Sequence, residues 1–190
     1  LNDSEQIVFD WHGGEPLLLG LDYFKKIVNL QNKYRRDKHI YNTIQTNATL
    51  LDDDFALFFK ENNFLVGVSV DGPQDVHDKY RKYKSGQPTF LKVMRGIELL
   101  HRYAVDFNTL TTISKAGEGR GLDVYLFLKN IGSRYMQFMP VLEYVNTTNK
   151  NIASPDDDNS SLAEWSVNPM EYGRVMCDIF DYWVKNDVGS

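Results

Sequence analysis

The chain has 190 residues, with 21 Lys and Arg against 26 Asp and Glu, a formal net charge of −5. Hydrophobic residues at 42% and charged residues at 25% are ordinary globular values and argue against long disorder. The shortage of basic residues speaks against a nucleic-acid partner, because phosphate recognition needs a surplus of Lys and Arg.

The basic stretches 33–38 and 79–84 are short and read as solvated surface. The longest apolar runs, 16–20 and 64–70, fall far short of a bilayer span, so no membrane is expected. A single cysteine, Cys177, excludes an internal disulfide and any cysteine-only metal or iron–sulfur site within this chain. No signal-peptide pattern opens the sequence, and a cytoplasmic origin is expected. Leu1 rather than Met stands first, with a strand pattern close behind it, as expected of a fragment.

Five apolar, β-prone runs follow in chain order at Gln6–Trp11, 42–47, 65–70, Phe107–Ile113 and 135–141. Helical spacing fills the gaps: Tyr23, Phe24, Ile27, Val28, Gln31 and Tyr34, then 52–62 with acidic residues in its first turn. Phe90, Val93, Met94, Ile97 and Leu100 form a third stripe, and Leu122, Tyr125, Leu126 and Lys129 a looser fourth. The polar, turn-rich segment 146–161 interrupts the rhythm and reads as a mobile insertion, with Asp156–Asp158 as solvated charge. A last helix over 168–186 carries Val175, Met176, Ile179, Phe180 and Trp183 on one stripe; Cys177 reads as packing beside them, and Trp11, Trp165 and Trp183 as core or interface.

Strand alternating with helix predicts parallel strands joined by right-handed crossovers, hence an α/β fold. In 66–71, Val66, Val68 and Val70 face one way and Gly67, Ser69 and Asp71 the other; Thr43, Gln45 and Asn47 likewise share a face. A sheet sandwiched between helices would be apolar on both faces. One small, polar face fits a barrel open to a ligand, and five units against the eight of a full barrel predict a partial one.

The polar clusters sit where strands end, the place where α/β folds gather their active sites. In Gly13-Gly14-Glu15-Pro16, two glycines permit close backbone approach, and Pro16 biases Glu15 to extended geometry. Such a carboxylate suits an ammonium group or general acid/base work; it would equally cap the turn that follows. Ser69 and Arg81 together make a carboxylate receptor, whereas the plain alternative pairs Arg81 with Asp75 or Asp78 at the surface. Asp71 reads also as a turn residue. None of the four histidines forms a zinc-hydrolase motif; His39 and His101 read as exposed, and His12, beside the glycines, as a substrate contact or a hydrogen-bonding neighbour of the site.

Taken together these motifs resemble radical S-adenosylmethionine enzymes of the anaerobic sulfatase-maturating type. The resemblance lies in Phe9-Asp10-Trp11-His12-Gly13-Gly14-Glu15-Pro16, Ile44-Gln45-Thr46-Asn47-Ala48-Thr49-Leu50-Leu51, and Ser69-Val70-Asp71-Gly72-Pro73 with His77, Asp78 and Arg81. It continues in Arg134-Tyr135-Met136-Gln137-Phe138-Met139-Pro140 and runs more weakly through 172–188. The resemblance implies a partial (β/α)6 barrel that binds S-adenosylmethionine at its mouth. There a [4Fe–4S] cluster reduces the cofactor to a 5′-deoxyadenosyl radical, which takes a hydrogen from a Cys or Ser of an unfolded sulfatase polypeptide on the way to formylglycine. It further implies that Gly14 and its neighbour Glu15 hold the methionine amino group, with Gly13 and Asn47 also among the cofactor-binding residues. Ser69 and Arg81 would hold its carboxylate, and Leu142 would lie against the adenosine.

The family's Cys-x-x-x-Cys-x-x-Cys loop is expected before Leu1, and its auxiliary-cluster cysteines and base beyond Ser190. No metal ligand is therefore expected here, and the chain alone is expected to bind no cluster and to be inactive. Ala48 stands where the family usually has Gly, a change expected to be tolerated. Without its preceding strand, β-strand 6–11 or its neighbour is expected to present an edge that invites self-association. Three other readings stand beside this one: a radical enzyme acting on another peptide, a barrel hydrolase or aldolase using Glu15, Asp71 and His12 with Lys115 as the near candidate nucleophile, and a binding module without chemistry.

Overall fold

A computed structural model describes residues 5–188. The five expected strands are β1 (Gln6–Trp11), β2 (His39–Thr46), β3 (Leu65–Ser69), β4 (Phe107–Ile113) and β5 (Met136–Pro140). They lie in one sheet in chain order, β1-β2-β3-β4-β5, and β1 to β4 pair in parallel. Helices α1 (Leu21–Tyr34), α2 (Asp53–Glu61), α3 (Gln74–Tyr80), α4 (Phe90–Arg102) and α5 (Gly121–Asn130) occupy the connections, and α6 (Pro169–Asn186) follows. Sequential order is what results when every crossover returns the chain beside the strand it left. It is the order of a barrel wall, not that of a doubly wound sheet, whose order reverses midway.

Helix α3 is the element that periodicity missed. Its seven residues span barely two turns, too few for an apolar stripe to repeat. Among the described residues no helix is long and apolar enough to cross a membrane.

The chain divides into two compact units. The first comprises Leu1–Val70, Arg81–Leu110 and Ser133–Met136. Its core is aromatic: Phe24, Phe55, Phe58, Phe59 and Phe64 are all buried, with neighbouring ring centroids 5.1–6.5 Å apart. One polar knot crosses this apolar side. The buried Asn42 accepts from Trp11 Nε1 and exchanges a pair of hydrogen bonds with Gln31, each 2.9 Å, so strands β1 and β2 and helix α1 are pinned in register.

Strand parity separates the two faces as expected. Ile44, Thr46, Val66, Val68, Phe107 and Thr109 are buried beneath the helices, whereas Thr43, Gln45, Ser69, Asn108 and Leu110 alternate with them and are only half-buried. The half-buried face is polar.

The second unit comprises Asp71–Tyr80, Thr111–Gly132 and Gln137–Ser190. Helices α5 and α6 pack closely because Gly121 has no side chain: a Cβ there would lie 2.7 Å from the Val175 carbonyl oxygen. Beyond this contact Tyr125 Oη donates to Asp187 Oδ2 (2.7 Å), and Lys129 pairs with Asp187 Oδ1. The interrupting segment is built around a small antiparallel sheet, β7-β6-β8, from β6 (Tyr144–Asn146), β7 (Ile152–Ala153) and β8 (Ser160–Leu162). Strands of two and three residues are too short for period-two alternation to betray them. Asp156–Asp158 are exposed, as expected.

The reading of α6 needs correction. Only Val175 and Ile179 of its stripe are buried; Phe180 and Trp183 are 59% and 42% exposed, and Cys177 is exposed rather than packed. A partner as narrow as α5 covers one turn-to-turn ridge and leaves the flanks in solvent. Trp11 and Trp165 are half-buried, each donating its indole N–H, to Asn42 and to Glu143 Oε2 respectively.

Gly121→Ala should cost about 1–3 kcal/mol, because backbone rather than a yielding side chain meets the new methyl. Gly173→Ala, whose methyl would meet open space within α6, should stabilise by about 1 kcal/mol. Thermal unfolding of the two variants side by side checks both signs.

The α5–α6 contact is also sensitive to pH. Burial, and then the hydrogen bond to Asp187, push the Tyr125 phenol up to about 12. The hydrogen bonds from Lys129 and Tyr125 hold the Asp187 carboxyl below its ordinary value. A raised phenol stabilises the fold below its unfolded value of about 10 and loses this as pH rises through about 12. A lowered carboxyl contributes above its unfolded value of about 3.9 and loses this as pH falls through its folded one. Ring-carbon NMR of Tyr125 should therefore titrate near 12, and in Asp187→Asn the midpoint should move down towards 10.

Candidate functional site

The site begins at the end of β1. Gly13 (φ 94°) and Gly14 (φ 54°) adopt left-handed backbone, and a Cβ on either would meet nothing within 4 Å. Both are exposed, as is His12 before them. Glu15 follows in extended geometry (φ −122°, ψ 106°), as the proline after it requires, and Pro16–Leu19 forms a short 3₁₀ turn.

The Glu15 carboxylate is tied down by three donors. Oε1 accepts from the Leu17 N–H (3.1 Å) and from Thr46 Oγ1 (2.6 Å), and Oε2 accepts from the Asn47 N–H (2.8 Å). A carboxylate has about four lone-pair sites, so about one is left for a ligand. The capping alternative and the ligand alternative are thus compatible. Capping is what aims the group.

The end of β2 is organised around this carboxylate. Thr46 Oγ1 accepts from the Ala48 N–H (3.0 Å), and Asn47 Oδ1 accepts from the N–H and hydroxyl of Thr49 (3.0 and 2.7 Å). Ala48 is fully buried at φ 55°, a left-handed conformation that costs an L-residue about 1–2 kcal/mol. This accounts for a glycine preference at that position. Room for the Ala48 methyl comes from α4, where a Cβ on Gly96 would lie 2.6 Å from the Ala48 carbonyl oxygen.

Ser69 ends β3 on the half-buried polar face. Arg81 follows α3 and is half-buried; its carbonyl accepts from Thr89 Oγ1 (2.8 Å), which closes the exposed loop 82–88 at its base. Asp75 has a different partner from the one the plain alternative offered. Arg120 donates to it (2.8 Å) and holds its carboxyl below the ordinary value, while also binding Asp123 (2.7 Å). Leu142 lies in the second unit between β5 and β6 and is 53% exposed.

Asp71 is not a mere turn residue. It is buried, and its Oδ1 accepts from the Thr112 N–H (2.9 Å), while its own N–H donates to Nδ1 of the fully buried His77 (3.3 Å). Nδ1 is therefore the unprotonated nitrogen of that ring. Sequence reasoning had no signal for this pair beyond the motif that contains both residues. Among the described residues, no group of three or more His, Cys, Asp or Glu is placed to hold a metal ion. Glu15 and Asp71, each engaged with backbone donors, do not resemble the loosely held acids of a hydrolase.

Comparison with known proteins supplies a context for this geometry. Residues 5–118 match the family model described as the Radical SAM superfamily. The chain is 46% identical over 188 residues to a serine-type anaerobic sulfatase-maturating enzyme of Bacteroides thetaiotaomicron, covering 97% of this chain and 45% of that protein. It is 38% identical to a cysteine-type anaerobic sulfatase-maturating enzyme of Clostridium novyi, covering 97% and 47%. Among solved structures, native anSMEcpe with bound AdoMet and the Kp18Cys peptide matches with a TM-score of 0.85 at 33% identity, over 97% of this chain and 48% of that one. The fold class is accordingly α/β, of the partial-barrel type, and the chain spans about half the length of the relatives it matches.

Replacing Glu15 by Gln turns one acceptor into a donor that faces either the Asn47 N–H or the Thr46 and Leu17 donors. An unsatisfied polar contact of this kind costs about 1–3 kcal/mol. Amide exchange at Leu17 and Asn47 should accelerate by about tenfold or more in the variant, while the aromatic core keeps its protection.

Proposed function

The chain belongs to the radical SAM superfamily, and on that premise we propose that it is the S-adenosylmethionine-binding part of an anaerobic sulfatase-maturating enzyme. The whole protein then oxidises a Cys or Ser of an unfolded sulfatase polypeptide to formylglycine in the cytoplasm. The observation that carries the reading is Glu15: a carboxylate held by three donors, with about one lone pair left beside two glycines of open backbone.

The donor set fits an α-amino acid end group. In this reading Glu15 accepts from the methionine ammonium, with the Gly13 and Gly14 backbone alongside. Asn47 keeps Glu15 in place through its N–H. Ser69 and Arg81 take the methionine carboxylate, the guanidinium as a planar pair of donors and the hydroxyl as a third. His12, exposed at the end of β1, contacts the polypeptide. When bound and reduced, S-adenosylmethionine supplies the one-electron chemistry that removes a hydrogen atom from the target side chain.

A [4Fe–4S] cluster does not fit the residues of this chain. Cluster irons take thiolates, and the single cysteine, Cys177, is exposed on α6 in the second unit. No step is assigned to the chain through that group. By itself the chain would also carry β1 at one end of its sheet, with Val8 62% exposed, as an edge for self-pairing.

The test uses the complete protein, purified without oxygen and reduced with dithionite. Production of 5′-deoxyadenosine should be stimulated by the Kp18Cys peptide, with loss of two hydrogens from its Cys. Cofactor cleavage without peptide oxidation would move the substrate elsewhere; no 5′-deoxyadenosine from cluster-loaded protein would overturn the reading. Ser69→Ala and Arg81→Lys should each weaken S-adenosylmethionine binding by about 10- to 100-fold, the range of a hydrogen bond to a charged group. Equilibrium dialysis of the cofactor checks this without turnover.

A further inference from the structure

One polar row on the half-buried face of the first unit has no assigned role. In register across three strands stand Gln45 of β2, Gly67 of β3 and Asn108 of β4. Gln45 and Asn108 are half-buried, and among the described residues no hydrogen bond to either side chain is found. Gln45 Oε1 is wholly buried and without a partner. A buried oxygen of that kind costs about 1–3 kcal/mol, and something must hold it there.

Gly67 provides the place. A Cβ on Gly67 would lie 1.8 Å from Gln45 Oε1 and 2.4–2.5 Å from the rest of the carboxamide. The amide of Gln45 thus occupies the volume a side chain at 67 would fill. It lies over β3, with its oxygen nearest the Gly67 backbone. From strand spacing, the Cα atoms of Gln45 and Asn108 are about 10 Å apart, and the row lies about 7 Å along the strands from Ser69, towards their N-terminal ends.

We infer that Gln45 and Asn108, spaced by Gly67, bind the main chain of the substrate polypeptide. This rests on the sulfatase-maturating reading and adds the residues that hold its substrate. A carboxamide mirrors a peptide group, with N–H on one side and C=O on the other. The row bears no charge, so it suits neither the ammonium nor the carboxylate of the cofactor. Its span of about 10 Å equals about three residues of extended chain, so two peptide groups about three residues apart can be met at once. A ribose diol is too short to engage both amides.

The experiment uses the complete, cluster-loaded protein with S-adenosylmethionine present, and measures Kp18Cys binding by fluorescence anisotropy. Gln45→Met keeps the length that fills the Gly67 slot and removes the amide; Asn108→Ala removes the other. Gly67→Ala leaves both amides but evicts that of Gln45, and only a flexible side-chain end must move, so the fold should survive. Each variant should weaken peptide binding, and raise the peptide KM, by about tenfold, with kcat and cofactor affinity changed by less than about twofold. Wild-type affinity in all three variants would overturn the inference, and so would weakened cofactor binding with peptide affinity intact, which would make the row a nucleoside contact. Failure of the unmodified protein to bind Kp18Cys would overturn the sulfatase reading itself, and this inference with it. Circular dichroism melts of the variants separate lost binding from lost fold.

Discussion

The candidate site depends on one carboxylate. Glu15 belongs to the end of β1, yet two of its three donors, the Thr46 hydroxyl and the Asn47 N–H, belong to the end of β2. Those two bonds join neighbouring strand ends just where the ladder between them stops. Without them, two glycines and a proline would leave β1 by a loose path. With them, the loop has a single geometry in which backbone and carboxylate face open space.

Behind this tie lies a sequence of close approaches that only missing side chains allow. Gly96 lets α4 come up against Ala48, which supports the loop bearing Asn47. Gly67 lets Gln45 lie across β3, and Gly121 lets α5 meet the backbone of α6. The first two shape the polar face and its rim. The third builds the second unit. Buried aromatic rings fill the other side of the sheet in the first unit, and the polar knot at Asn42 sets the register there.

Burial thus divides by face. The apolar side of each strand is closed by helices and commits β1 to β4 to one register. The polar side remains half-buried, which is costly for a lone domain and useful for a ligand. Its polar groups are graded along the strands: a carboxylate and a hydroxyl near the C-terminal ends, and uncharged amides further down.

Much of this was legible in the order of the residues. Strands β1 and β4 were readable to the residue, and the parity of Thr43, Gln45 and Ser69 already implied an open polar face, because alternation on a strand is a local property. The Gly13-Gly14-Glu15-Pro16 cluster declared a rigid turn for the same reason. What required the tertiary structure was everything decided by partners distant in sequence. Glu15 meets Thr46 across 31 positions, Asp71 meets Thr112 across 41, and Tyr125 meets Asp187 across 62. The exposure of Cys177 and the narrow burial of α6 likewise depend on how much surface α5 can cover. Periodicity shows which face of an element is apolar; only the packed neighbours determine how much of that face leaves water.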